Sequence, residues 1–66
     1  MAKAKAKEIR LIDILGTIAE NEYVVITVNC RDSYHYTAGV AEVELEKYLT
    51  AIVRGVTADG VIHIFI

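Results

Sequence analysis

The segment Tyr23–Asn29, YVVITVN, places the strongest constraint on how this chain can fold. Five of its seven residues are β-branched and a sixth is tyrosine, which is typical of a β-strand. Alternate side chains of a strand point to opposite faces, so Val24, Ile26 and Val28 share one face and Tyr23, Val25 and Thr27 share the other. Because neither face is strongly polar, the pattern predicts a central strand or one whose second face meets a partner.

Three further strands are predicted. Ser33–Gly39, SYHYTAG, follows a polar turn and is expected to pair antiparallel with the first strand. Leu49–Thr57 is the third, and Val61–Ile66 the last. Asp-Gly in the turn between them is a strong hairpin signal. The last strand also alternates, with Ile62, Ile64 and Ile66 on one face and Val61, His63 and Phe65 on the other.

An amphipathic helix is predicted over Ile9–Ala19, because Leu11, Ile14, Leu15 and Ile18 recur at the spacing of one helical face. The spacing leaves open whether residues 8–11 are helical or extended. Residues 40–48, VAEVELEKY, mix two periods. Their Ala, Glu, Leu and Lys content favours a short helical connection, and the alternation of apolar residues with glutamates keeps a strand as the alternative.

These elements predict an α+β fold in two layers, with one N-terminal amphipathic helix on a small, mainly antiparallel sheet of about four strands. A short helical connection would join two hairpins. Residues 1–8 would form a basic lead that is either disordered or an extension of the first helix, and residues 9–66 a single domain. The order of the strands does not follow from the sequence.

The chain carries more large aliphatic residues than a small interior needs: nine Ile, eight Val and four Leu among 66 residues. One cysteine cannot close a disulfide within the chain, and a single core of this size leaves little net stability. We therefore expect a homo-oligomer that associates through the sheet face bearing Tyr23, Val25 and Phe65, or through an unpaired edge of the sheet. Tyr34 or Tyr36 is expected on the same face.

Charge is distributed unevenly along the chain. Residues 1–10 carry a net charge of +3 and residues 11–66 a net charge of −5. The acidic body argues against a nucleic-acid groove, and Lys3, Lys5, Lys7 and Arg10 are the only residues that offer such a contact. No apolar run is long enough for a membrane helix or the core of a signal peptide, so the sequence predicts a soluble, cytoplasmic protein.

Residue types that carry chemistry are few. Tyr34, His35 and Tyr36 are the candidate ligand-binding residues, although their alternation keeps them from lining one pocket together. His63 pairs with no acid or cysteine motif, so no metal site and no cofactor are predicted. Cys30 is interpreted as an incidental thiol beside Arg31. Glu42, Glu44 and Glu46 are interpreted as a solvated acidic face. Without a catalytic motif, the chain is not predicted to be an enzyme.

The stretch RLIDILGTIAENEYVVITV resembles the opening of small uncharacterised phage and prophage proteins of Gram-positive bacteria. The shared pattern falls on a helix with Leu11, Asp13 and Ile18, then Asn21, then the strand around Ile26. The end of the chain is also similar, from YTAGV to a final strand. The Ala-Lys lead and the connection after Gly39, which is shorter and lacks the usual proline, depart from that group. The resemblance implies a phage-type gene and no mechanism.

We therefore predict a small, non-enzymatic, homo-oligomeric protein-interaction module of phage type. Its partners would be a second copy of itself and a host or phage protein. The alternative is an oligomer that binds a small ligand in a pocket between subunits, with Tyr34, His35 and Tyr36 near its mouth.

Overall fold

The computed structural model describes residues 8–66, so the lead through Lys7, including Lys3 and Lys5, lies outside the described residues. The described chain is α+β, as predicted. Its elements are α1 (Leu11–Leu15), β1 (Tyr23–Val28), β2 (Asp32–Thr37), α2 (Ala38–Glu44), a 3₁₀ helix (Glu46–Tyr48), β3 (Gly55–Ala58) and β4 (Ile62–Phe65).

The four strands form one mixed sheet in the order β2-β1-β4-β3. The pairs β1–β2 and β3–β4 are antiparallel hairpins, whereas β1 and β4 run parallel in the middle of the sheet. Two of the three pairings are therefore antiparallel, and the segment with α2 links the two hairpins. The parallel central pair joins residues that are far apart in sequence.

Strand β1 is central, with neighbours on both sides. Val24, Ile26 and Val28 on its inner face are 1%, 0% and 5% exposed. The predicted alternation of this strand is therefore confirmed, and its inner face forms the middle of the core.

The core lies on this inner face only. Its buried members come from both helices, the central strands and the chain end: Leu11, Leu15, Val24, Ile26, Val28, Ala38, Ala41, Leu45, Ile64 and Ile66. Helices and sheet thus form two layers. Within residues 8–66, none of the helices has the length and apolar character needed to cross a membrane.

Helix α1 is shorter than predicted, because it spans Leu11–Leu15 rather than Ile9–Ala19. Gly16 follows its last residue, and glycine is a poor helix former. The Thr17 hydroxyl donates to the Ile14 carbonyl at 2.7 Å, which caps the end of the helix. Leu11 and Leu15 remain the buried residues, so the predicted apolar face contacts the core over a single turn.

The predicted third strand, Leu49–Thr57, was too long, since β3 begins only at Gly55. The residues before it pair with the start of α1 instead. The Leu11 amide donates to the Ala51 carbonyl at 3.0 Å, and the Ile12 amide donates to the Leu49 carbonyl at 2.9 Å. This pairing also settles that Ile9 and Arg10 are extended, as the bridge between Arg10 and Ile52 indicates.

Strand β2 ends at Thr37, two residues before its predicted end, because a helix begins there. The Thr37 hydroxyl accepts a hydrogen bond from the Val40 amide at 3.4 Å and caps α2. The connection is thus helical, as predicted, and the strand alternative for residues 40–48 is wrong.

Candidate interaction surface

The sheet has a second face that points away from both helices, and we call it the outer face. Residues that are paired across neighbouring strands project to the same side of a sheet, so the register defines this face. Its members are Tyr23, Val25 and Thr27 of β1, Ser33, His35 and Thr37 of β2, Gly55 and Thr57 of β3, and His63 and Phe65 of β4.

None of these ten outer-face residues of the described strands is Lys, Arg, Asp or Glu. The whole chain has seven Lys and Arg and nine Asp and Glu, so charge is concentrated elsewhere. Depletion of charged residues is typical of the centre of a protein interface. The outer face shares this depletion of charge with interface centres, and six of its ten residues are Ser, Thr or His.

The three residues predicted to mediate self-association, Tyr23, Val25 and Phe65, all lie on the outer face. Tyr23 is 69% exposed, whereas Val25 and Phe65 are half-buried between neighbouring strands. Neither Val25 nor Phe65 is among the apolar residues packed on the core. The described part of the chain thus leaves these side chains uncovered by a helix.

The expectation that Tyr34 or Tyr36 would join this face is wrong. Tyr36 is paired with Val24, and Tyr34 with Ile26, so both tyrosines lie on the inner face and pack against the core. The Tyr34 ring lies 6.5 Å from the ring of Tyr48, between centroids. Strand alternation puts them there, because Val24 and Ile26 are the buried residues of β1.

The candidate ligand-binding residues are therefore divided between the two faces. His35 is paired with Val25 and lies on the outer face, opposite to Tyr34 and Tyr36. The structure brings the two tyrosines together on one side of β2 and separates the histidine from them. A cavity within one subunit would not be lined by all three.

His35 and His63 lie on either side of Val25 in one row of the outer face. They are two strands apart, so they are not cross-strand neighbours. In residues 8–66, no three His, Cys, Asp or Glu side chains are grouped so that they could hold a metal ion.

Cys30 lies in the turn between β1 and β2, and its thiol is exposed. Asn29 and Cys30 have φ angles of 54° and 56°, and the Arg31 amide donates to the Val28 carbonyl at 3.0 Å to close the turn. The guanidinium of Arg54 lies near the thiol, with its Nη2 3.9 Å from Sγ.

Two open depressions lie on the helical side of the molecule. One, of about 320 Å³, is lined by Leu15, Gly16, Ile18, Glu20, Ala38, Gly39 and Glu42. The other, of about 420 Å³, is lined by Glu8, Ile9, Asp13, Ile14 and Thr17. Of the predicted acidic face, Glu42 thus lines a depression, whereas Glu44 and Glu46 are exposed.

Sequence reasoning did not show which polar residues of the outer face lie next to one another. Thr27 and Ser33 are directly opposite each other, and their hydroxyl oxygens lie 3.1 Å apart in a hydrogen bond. Thr57 is paired with His63 in the same way. Alternation within the predicted strands placed Thr27 on this face, but only the pairing register shows which residues lie beside it.

The chain matches no protein-family model, and comparisons with curated proteins and with solved structures give no significant match.

Proposed function

We propose that this protein is a small, non-enzymatic, homo-oligomeric interaction module that self-associates through the outer face of its sheet. The observation that carries the proposal is an uncharged sheet face bearing Tyr23, Val25 and Phe65. A phage-type origin, with a host or phage protein as a further partner, belongs to the same proposal and has its support in the sequence resemblance alone.

Packing physics supports a second copy as the occupant of this face. Two sheets that pack face to face interdigitate the side chains of their facing surfaces. Here such contact would bury the ring of Tyr23, which is 69% exposed, together with Val25 and Phe65. The hydroxyls of Thr27 and Ser33 already form a hydrogen bond with each other, so burying them in an interface would leave neither without a hydrogen-bond partner.

The test is the molar mass in solution of matched lysine variants. Tyr23→Lys places a charge on the outer face, and Val43→Lys places one on α2. The two positions are 69% and 71% exposed, so neither change removes a buried side chain of the monomer. Sedimentation equilibrium should find an oligomer for the unchanged chain and for Val43→Lys, with association weakened by roughly tenfold or more in Tyr23→Lys.

Circular dichroism of both variants provides the control for folding. A mass of 7.3 kDa for the unchanged chain, at every concentration up to the solubility limit, would contradict the proposal. Equal weakening by both lysines would also contradict it, because the outer face would then have no special part in association.

The alternative function, a small-ligand site between subunits, draws on Tyr34, His35 and Tyr36 from two sides of β2. A pocket of that kind would have to wrap around the exposed edge of this strand. Thermal-shift screening against nucleotides and metal ions tests it, since a ligand that binds only the folded state raises the melting temperature.

A further inference from the structure

The sequence of β2 reads almost the same in both directions around its centre. Residues 33–37 read SYHYT, with His35 at the centre. A tyrosine lies on each side of His35, and a hydroxyl residue, Ser33 or Thr37, lies at each end. Two copies of such a strand that run antiparallel about His35 would bring like residues opposite each other.

Strand β2 is also an edge of the sheet. It is first in the strand order, and within residues 8–66 it pairs with β1 alone. Its other side therefore presents the backbone N–H and C=O groups of alternate residues to a further strand.

Three features that protect many edge strands, namely proline, lysine and a β-bulge, are absent from β2. Proteins block such edges with proline, lysine, bulges or very short strands. The chain has no proline, and β2 contains no lysine. It runs for six residues in unbroken register with β1, from Asp32 to Thr37. An edge of this length without these features is expected to be paired in the assembled protein.

We propose that β2 pairs antiparallel with β2 of a second copy, about a two-fold axis through His35. Tyr34 then lies opposite Tyr36 of the second copy on the inner face, and Ser33 lies opposite Thr37 of the second copy on the outer face. The sheet becomes continuous across eight strands. This contact is separate from the outer-face contact proposed above and does not require it.

Because SYHYT pairs like residues when it meets itself antiparallel, we infer that the strand added to the β2 edge comes from a second copy rather than from an unrelated protein. Aromatic residues and hydroxyl residues are favourable cross-strand partners, and the two-fold axis generates each of these pairs twice. The one charged residue of β2, Asp32, falls opposite Ala38 of the second copy, so no like charges meet.

Cysteine cross-linking in the full chain tests the register, in a background with Cys30→Ser to remove the native thiol. His35→Cys should form a disulfide-linked dimer under mild oxidation, because the two thiols lie opposite each other. Ser33→Cys alone should not, since its partner is Thr37 of the other copy. A mixture of Ser33→Cys and Thr37→Cys chains should form a mixed dimer.

A second measurement needs no substitution. In a mixture of isotope-labelled and unlabelled chains, nuclear Overhauser contacts between chains should join the Tyr34 and Tyr36 rings. The proposal is overturned if these contacts are absent, or if Ser33→Cys cross-links to itself as readily as His35→Cys.

The edge contact and the outer-face contact can be tested independently of each other. Tyr23 lies on β1, away from the β2 edge, so adding Tyr23→Lys should leave the His35→Cys cross-link in place. Loss of the cross-link in this variant would show that the edge contact does not exist without the outer-face contact, and would overturn its independence.

Discussion

The pKa of the Tyr34 hydroxyl depends on the position of this residue in the fold. Partial burial raises the pKa of its hydroxyl above the usual 10.0, and nearby Tyr48 and Asp32 raise it further. Tyr34 is half-buried on the inner face, where it packs against the core. The unfolded chain lacks the burial and the contact with Tyr48, whereas Asp32 stays two residues away along the chain.

This shift predicts a loss of stability at alkaline pH. The folded-state pKa of Tyr34 is higher than the unfolded value, so its contribution is complete below pH 10.0 and is lost as pH rises through the folded pKa. Urea unfolding of the unchanged chain and of Tyr34→Phe should show their difference in unfolding free energy shrinking above that pH. A difference that stays constant from pH 8 to pH 11 would contradict the assignment.

Among the elements, α1 depends on contacts at its ends, because five residues are too few for a helix to persist unaided. The Asp13 carboxylate accepts a hydrogen bond from the Arg10 amide at 3.0 Å. The Arg10 guanidinium donates to the Thr50 carbonyl at 2.6 Å, which ties the start of the helix to the segment before β3.

We predict that Asp13→Ala lowers the free energy of unfolding by about 0.5–1.5 kcal/mol, the net worth of one such hydrogen bond. Asp13→Asn keeps an acceptor oxygen at the same position and should lose less. Urea denaturation of the two variants measures both changes. Equal losses would show that the charge of Asp13, rather than its hydrogen bond, stabilises α1.

Helix α2 is positioned by a close approach at Gly39. Its amide donates to the Glu20 carbonyl at 2.9 Å, and a Cβ atom on Gly39 would lie 3.2 Å from the Cβ of Glu20. A larger side chain there must push α2 away from the turn that precedes β1.

Gly39→Val should therefore destabilise the fold by about 1–3 kcal/mol, as overpacking does elsewhere. Val43→Ala on the same helix is the control, because Val43 is 71% exposed and its truncation should change stability by less than about 0.5 kcal/mol. Thermal denaturation compares the two. A Gly39→Val variant as stable as the control would mean that the Glu20 backbone moves at little cost.

At the scale of the whole molecule, one layer of helices covers one face of the sheet, and the described chain offers nothing to cover the other. A chain of 66 residues has a small core, so burying the outer face against a second copy would add a substantial part of its stability.

Oligomerisation predicts a melting temperature that rises with protein concentration. For a dimer whose unfolding and dissociation are coupled, a tenfold increase should raise it by roughly 5 °C. Differential scanning calorimetry over two decades of concentration measures this. The dependence of the melting temperature on concentration should weaken in Tyr23→Lys and persist in Val43→Lys. A melting temperature that does not change with concentration would count against association.

Much of the local structure could be predicted from the sequence. The alternation around Ile26 predicted β1 and the division of its side chains between two faces, and the composition of residues 40–48 favoured the helix that occurs there. Of the candidate site, the alternation correctly separated His35 from its two tyrosine neighbours. These features depend on periods of two and of 3.6 residues, which short stretches of chain express by themselves.

Pairing between segments that are distant in the chain cannot be predicted from these local periods. Strand order, the parallel pairing of β1 with β4, and the use of residues 49–53 to bind the start of α1 all join segments distant in the chain. The same is true of the inner-face position of Tyr34 and Tyr36, which was predicted wrongly. Alternation predicts which residues of a strand share a face. It does not predict which face the helices cover, because that depends on how the apolar surfaces of all the elements pack together.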